Sequence, residues 1–475
     1  YDMNIRDWSS DVCSSDLDDG SDATVINAGS GVIDIDAAGD VTLGGLTSSN
    51  NTTAAIDVSA GNGIVDAGDF ATDIIATTGS ARVTLRAGGN IGNLDGTDVT
   101  IAPTDAIETE VSSLDISTTS ANGEVAISNS GSTLDVFDLG VGGAGKGYVR
   151  IANDNNPLTV DTTGNGGVLT NGAGEGLEGN DDLALVTTTA GTVTVNDEGD
   201  ANTQDIATDG LVFIDAVGAI DDSAGATDLY IAADTLYLHS DAATDTVART
   251  AVSELHSDLT GGSGALDINE DDDVTIRAIS ADNTVDVTTT NGSITVSDGD
   301  NGVDATLVTT SGTGEITLIA GGTNSDITLY DGLESGDGPI ELTADDTIDF
   351  IDDGGDITST TGDLTLTAND DDADGDGGDY ISIADGALIN AGSGAISLST
   401  VGASNGDGGR ITLGGLRTTD GSATAVQIST DADVVDAGSA HTDVDAANGR
   451  LVIEAVTGVG ATDPGTPADA ALETA

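Results

Sequence analysis

The sequence predicts an all-β fold, a right-handed parallel β-helix of roughly twenty short coils with further coils beyond both ends. Three observations carry that prediction. One long stretch is written twice, apolar and polar residues alternate with period two, and aromatic residues make up only 2% of the chain.

The duplicated stretch is Ile26–Thr97, echoed at Ile389–Thr466. Ile26-Asn27-Ala28-Gly29-Ser30-Gly31 returns unchanged as Ile389-Asn390-Ala391-Gly392-Ser393-Gly394. Val41-Thr42-Leu43-Gly44-Gly45-Leu46 returns as Ile411-Thr412-Leu413-Gly414-Gly415-Leu416, and Val65-Asp66-Ala67-Gly68 as Val435-Asp436-Ala437-Gly438. The later copy carries seven extra residues before Gly409 without disturbing the triplets on either side. The triplets are therefore scaffold and the insertion is a loop. A further echo links Thr109-Glu110-Val111-Ser112-Ser113-Leu114 to Thr250-Ala251-Val252-Ser253-Glu254-Leu255.

The alternation is seen in Val32-Ile33-Asp34-Ile35, Val83-Thr84-Leu85, Val193-Thr194-Val195, Ile316-Thr317-Leu318, Ile327-Thr328-Leu329 and Leu364-Thr365-Leu366. Period two is the pattern of half-buried strands, and Thr suits the outward side of a pleated surface. Between the strands lie clusters such as Thr78-Gly79-Ser80, Asn291-Gly292-Ser293 and Ser311-Gly312-Thr313-Gly314. Gly and Asn tolerate positive φ, so these read as tight turns. Strand centres roughly ten residues apart suit a sandwich or two strands per coil of a solenoid. A sandwich core wants large aromatics and a period near 100 residues. A narrow solenoid is instead filled by stacked small and branched aliphatics, and at ~22 residues and ~4.8 Å per coil it would form a rod on the order of 100 Å.

Composition excludes several functions. The chain has 84 acidic and 10 basic residues, a net charge of −74, so it repels nucleic acid and anionic membranes. No apolar run approaches the ~20 residues of a membrane span. The single Cys, Trp and Met all lie in Tyr1–Leu17. Asp7–Leu17 resembles the in-frame translation of a sequencing adapter, so Tyr1–Leu17 is set aside as non-native. Residues 18–475 then read as one continuous solenoid, cut at both ends and free of cysteine.

Phrases such as Gly123-Glu124-Val125-Ala126-Ile127, Gly292-Ser293-Ile294-Thr295-Val296, Gly314-Glu315-Ile316-Thr317-Leu318 and Gly362-Asp363-Leu364-Thr365-Leu366 resemble the repeats of filamentous-haemagglutinin-like and autotransporter-like giant bacterial surface proteins. The resemblance is one of repeat style over nearly all of 18–475. It implies a secreted or cell-surface β-helix, extracellular or at the outer membrane, that serves as a stalk or as an adhesin. Its partner would be a host cell, a neighbouring cell or extracellular matrix. The family's secretion domain and outer-membrane barrel are not in the sequence.

Asp370-Asp371-Asp372-Ala373-Asp374-Gly375-Asp376 has the D-x-D-x-D-G opening of a calcium loop, in which alternate carboxylates converge on a hard cation and Gly allows the turn. Asp370, Asp372, Asp374, Asp376 and Asp379 are the candidate ligands. The twelfth position, where a bidentate Glu is wanted, is Ile381. Asn269-Glu270-Asp271-Asp272-Asp273 is a weaker version of the pattern. These loops give a second function, a calcium-binding extracellular module. Calcium or salt would also screen acids stacked ~5 Å apart on adjacent coils, which repel by about 0.8 kcal/mol per pair even in water.

Catalytic motifs fail on geometry. Gly140-Val141-Gly142-Gly143-Ala144-Gly145-Lys146 fits a phosphate loop in letters, but that loop needs a helix after it, and Tyr148-Val149-Arg150-Ile151 reads as a strand. His239-Ser240-Asp241 and His256-Ser257-Asp258 place consecutive residues on opposite strand faces, where a triad cannot converge. A β-helix carbohydrate-active enzyme working through paired carboxylates such as Asp352 and Asp353 is a third reading. The expectation is that the chain is not an enzyme.

Overall fold

The computed structural model describes residues 3–8, 25–68, 72–94, 96–120, 122–141, 146–161, 181–196, 204–222, 229–262, 264–299, 305–351, 354–369, 380–401, 409–438, 442–460, 472 and 474–475. Among them there is no α-helix, and the strand ladders are all parallel. The chain gathers into two compact units, Tyr1–Ala242 with Thr246–Ala248, and Ala243–Asp245 with Arg249–Ala475. Each is a β-solenoid.

In the first unit one face is a nine-stranded sheet. Ile33–Ala37 pairs with Ile56–Ala60, then Val83–Ala87, Ser113–Thr118, Leu134–Val141, Leu158–Asp161, Val193–Asn196 and Ile220–Asp222. A second face runs from Ile26–Asn27 through Leu46–Thr47, Ile74–Ala76, Ile107–Val111, Glu124–Asn129, Tyr148–Asn153, Asp182–Thr187 and Leu211–Ala216 to Tyr230–Ser240. A short third face, Val41–Leu43 on Ile64–Asp66, passes through Ile91 to Val125 and there merges into the long strand Glu124–Asn129. From that point to Asn196 the described coils have the two strands that the spacing suggests, and the coil ending at Asp222 adds the short strand Ile206–Ala207.

In the second unit the long strand Val274–Ala281 splits into two faces, Val274–Ile276 pairing with Ile294–Val296 and Ile279–Ala281 with Thr306–Thr310, and from Val285 onward the coils have three strands. Val285–Thr289, Ile316–Ala320, Ile340–Ala344, Leu364–Asn369, Ile396–Val401, Val426–Thr430 and Leu451–Ala455 stack on one face. Ile294–Val296, Ile327–Leu329, Ile348–Phe350, Tyr380–Ile383, Arg410–Leu413 and Asp433–Asp436 form the next. The third runs through Thr306–Thr310, Gly332–Ser335, Ile357–Ser359, Ile389–Asn390 and Leu416–Arg417 to Val444–Asp445. Strands of three to five residues bury at most three residues each, and a turn then redirects the chain to the next face. Coil length follows the loops, being 21 residues from Asp326 to Thr347 and 32 from Asp363 to Ala395.

The duplicated stretch builds the same object twice. Ile26-Asn27 on Leu46-Thr47 on Ile74-Ile75 in the first unit matches Ile389-Asn390 on Leu416-Arg417 on Val444-Asp445 in the second. The seven-residue insertion falls at 402–408, outside the described residues, and Ile396 and Ile411 on either side keep their ladders to Val426 and Val434. Met3–Trp8, set aside on sequence grounds, pairs parallel with Ile33–Ala37. An open strand edge accepts any extended backbone, so the pairing is silent on where the segment came from.

The interior is a set of aliphatic columns. Val285, Ile316, Ile340, Leu364, Ile396 and Val426 lie over one another and are fully buried. Each contributes on the order of 1.5–3 kcal/mol by leaving water. Corners are closed by buried hydroxyls that cap turn carbonyls. Ser335 donates to Gly338 O at 2.8 Å and Ser359 donates to the same oxygen at 2.8 Å. In the first unit an asparagine ladder does this work. Thr109 donates to Asn129 Oδ1 at 2.8 Å, Asn129 Nδ2 to Asn153 Oδ1 at 2.8 Å, and Asn153 Nδ2 to Pro157 O at 2.6 Å.

Glycine has two roles here, and the sequence suggested only one. Gly29 and its counterpart Gly392 turn in the left-handed region at φ 57° and 53°. Gly314, Gly338, Gly362 and Gly394 instead stack at one corner, where a Cβ on any of the last three would collide with the carbonyl of the glycine one coil before. These glycines are required by the close approach of successive coils.

Candidate functional site

The first unit brings three carboxylates together at one corner. Asp66 ends the strand Ile64–Asp66, and the chain turns away at Gly68 with φ 81°. Asp73 stands just before Ile74–Ala76, and Glu108 follows Ile107 on the adjacent strand. The register of Ile74 with Thr109 and Ile75 with Glu110 sets Asp73 beside Glu108. Asp73 N–H donates to Glu108 O at 2.9 Å and Glu108 N–H donates to Asp73 Oδ2 at 3.0 Å. One oxygen from each of Asp66, Asp73 and Glu108 lies within 4.8 Å of the others.

Asp73 is buried while Asp66 and Glu108 are half-buried. Burial, reinforced by the negative charges of Asp66 and Glu108, pushes the Asp73 carboxyl up to about 9, against the lowering effect of the Glu108 amide. A corner so arranged favours a proton on Asp73 or a cation among the three carboxylates. Three convergent carboxylate oxygens are three of the six to eight that calcium takes, with backbone and water oxygens able to supply the rest.

The corner has a counterpart in the second unit. Asp436 and Asp443 occupy the positions of Asp66 and Asp73, Asp443 is again buried, and Leu416 N–H donates to Asp443 O as Leu46 N–H does to Asp73 O. Val444 bridges Thr474 as Ile74 pairs with Thr109, and in sequence Glu473 precedes Thr474 as Glu108 precedes Thr109. Glu473 itself lies outside the described residues. No sequence motif marks this site. The available signal was an acid recurring at matched places in both copies, Asp66 with Asp436 and Asp73 with Asp443.

The sequence-predicted ligands Asp370, Asp372, Asp374, Asp376 and Asp379 all lie outside the described residues, as do Asp352 and Asp353. Asp379 is followed directly by Tyr380, which lines an open hollow of about 220 Å³ with Asp326, Asp346, Asp349, Thr328 and Thr347. Burial, and then the charge of Asp346, hold the Asp326 carboxyl above its usual range, opposed by hydrogen bonds from Thr347. The weaker run Asn269–Asp273 is no cation loop. Glu270 points into the coil, and Asp271 takes Arg249 Nε at 2.8 Å and Nη2 at 3.0 Å.

The other motifs fall as their geometry requires. Ser240 faces the interior and donates to Gly218 O at 2.9 Å, whereas His239 lies outside with Nδ1 2.6 Å from Asp215 Oδ1. The two side chains cannot work on one substrate. Tyr148–Asn153, after Lys146, is a strand of the second face, so no helix start follows the glycines. No family model, curated protein or solved structure matches the chain, and the likeness to haemagglutinin-like surface proteins rests on the repeat phrases quoted above.

Proposed function

We propose that the chain is a non-catalytic stalk or adhesive segment of a very large secreted or cell-surface bacterial protein. The observation that carries this reading is the duplicated coil. One stretch of sequence builds the same ladders in both units, with aliphatics and capped hydroxyls filling the interior and Thr, Ser and Asp left outside. A unit that buries its core only against copies of itself is suited to extension by repetition. Its exterior is available to a host cell, a neighbouring cell or matrix.

The test is a flow-chamber assay of beads carrying the chain over epithelial cells and matrix proteins, paired with single-molecule pulling from the two termini. Retention above bare beads supports adhesion. Coil-by-coil extension without retention supports a stalk. Turnover of a polysaccharide panel, lost on substitution of an acidic pair, overturns both.

A calcium-binding extracellular module is the second reading, favoured by the Asp66, Asp73 and Glu108 corner and its counterpart at Asp436 and Asp443. Calorimetry with calcium after chelation distinguishes it: heat of binding that is lost in Asp66→Asn with Glu108→Gln supports it, and identical titrations of both proteins sink it.

A further inference from the structure

We propose that Glu270 is a proton-binding position built into the core of the second unit, and that the coil it anchors loosens as the pH rises from mildly acidic towards neutral. Glu270 ends the strand Leu266–Glu270 and is fully buried. Its carboxyl sits in a socket made of donors. Thr250 Oγ1 donates to Oε2 at 2.7 Å, and Val252 N–H reaches both oxygens at 3.1 and 3.2 Å. The N–H groups of Asp271 and Asp272 donate to Oε1 at 3.0 and 3.2 Å.

The first unit contains the same socket with a neutral occupant. Thr109 and Val111, the matches of Thr250 and Val252, donate to Asn129 Oδ1 at 2.8 and 2.9 Å. An amide therefore satisfies this position, and the carboxyl of Glu270 adds something the fold alone does not need: a site that can gain or lose a proton. In its acid form Glu270 keeps its acceptor oxygen for the amides, and the Thr250 hydroxyl can rotate to accept the new O–H.

The charged groups near the socket lie on its own turn and on the adjacent strands. Arg249, on the strand Thr246–Leu259, is bound to Asp271, and Glu254 on the same strand is bound to Arg277 at 2.5 Å. Asp272 and Asp273 continue the turn, and Asp286 lies on the next strand, Val285–Thr289. Burial raises the Glu270 carboxyl, the hydrogen bonds from Thr250, Asp272, Val252 and Asp271 lower it, and the balance lies at about 7. A carboxyl raised in the folded state stabilises most below its unfolded pKa, near 4.5, and that stabilisation is lost progressively until the pH passes the folded value of about 7.

Hydrogen exchange by mass spectrometry on the whole chain tests this, comparing wild type with Glu270→Gln from pH 5 to pH 8 after correction for intrinsic rates. Wild-type protection of Thr246–Leu259 and Leu266–Glu270 should fall on the order of 100-fold relative to Glu270→Gln across that range. Parallel profiles for the two proteins overturn the proposal. Carboxyl-labelled glutamate NMR keeps the test alive if Glu270→Gln misfolds. One glutamate titrating near neutrality in a Glu108→Gln background supports the assignment, and all glutamates titrating below about 5.5 refute it.

Discussion

Leu364→Ala probes the packing that every other feature depends on. Leu364 lies between Ile340 on the coil before and Ile396 on the coil after, and all three are fully buried. Leu-to-Ala changes in cores cost about 2–5 kcal/mol, the upper part of the range applying where the surroundings cannot close around the cavity. Here they are held apart by the backbone ladder, with Ile340 N–H on Asp363 O at 3.0 Å and Leu364 N–H on Ala395 O at 2.8 Å. The expected loss is therefore about 3–4 kcal/mol. Thr365 is the control, because it points outward on the same strand and its change to Ala should stay within about 0.5 kcal/mol. Urea unfolding with exchange monitored at Ile340–Ala344 and Ile396–Val401 measures both, and the midpoint should shift at constant slope. A loss below about 1 kcal/mol for Leu364→Ala, or an equal loss for Thr365→Ala, would refute the inside-outside assignment.

Gly338→Ala should destabilise the second unit by more than about 2 kcal/mol because its Cβ meets the Gly314 carbonyl, whereas Gly39→Ala, with nothing within 4 Å, should be near neutral; melting curves compare them. Asn153→Ala strands the Asn129 amide and the turn carbonyls of Asn156 and Pro157, and chemical denaturation should record a loss of about 1–3 kcal/mol. Asp267 and Asp286 stack in register one coil apart, and burial followed by the Asp286 charge raises the Asp267 carboxyl. Melting temperature should accordingly rise with sodium chloride, and more steeply in wild type than in Asp267→Asn; a flat salt response in wild type contradicts the role given to repulsion.

The solenoid was legible because its signals are local and repeated. Val-Thr-Leu and Ile-Thr-Leu triplets carry the inside-outside alternation within three residues, and the two copies of Ile-Asn-Ala-Gly-Ser-Gly mark equivalent corners. The number of strands per coil was not legible. Whether Ile327–Leu329 continues a face or starts a new one depends on how sharply the intervening Gly and Asn turn the backbone, which spacing does not encode. The carboxylate corner was hidden for a related reason. Glu108 is distant in sequence from Asp66 and Asp73 and meets them only because coil length brings Ile74 beside Thr109. Glu270 lay inside an acidic run that read as a weak calcium loop, and its inward direction follows from strand parity: it is the fifth residue of Leu266–Glu270 and shares the buried side with Leu266 and Ile268.

The parallel stacking of successive coils is tested most directly by cysteine cross-linking in a Cys13→Ser background. Thr317 and Glu341 are register partners on adjacent coils, at a Cα separation of about 4.8 Å that a disulfide can span. Thr328 lies on the next strand in sequence but on another face. Thr317→Cys with Glu341→Cys should form an intramolecular disulfide under mild oxidation, and Thr317→Cys with Thr328→Cys should not. The opposite outcome, linkage only of the sequence-adjacent pair, would mean that consecutive strands run antiparallel side by side and that the chain is not a solenoid.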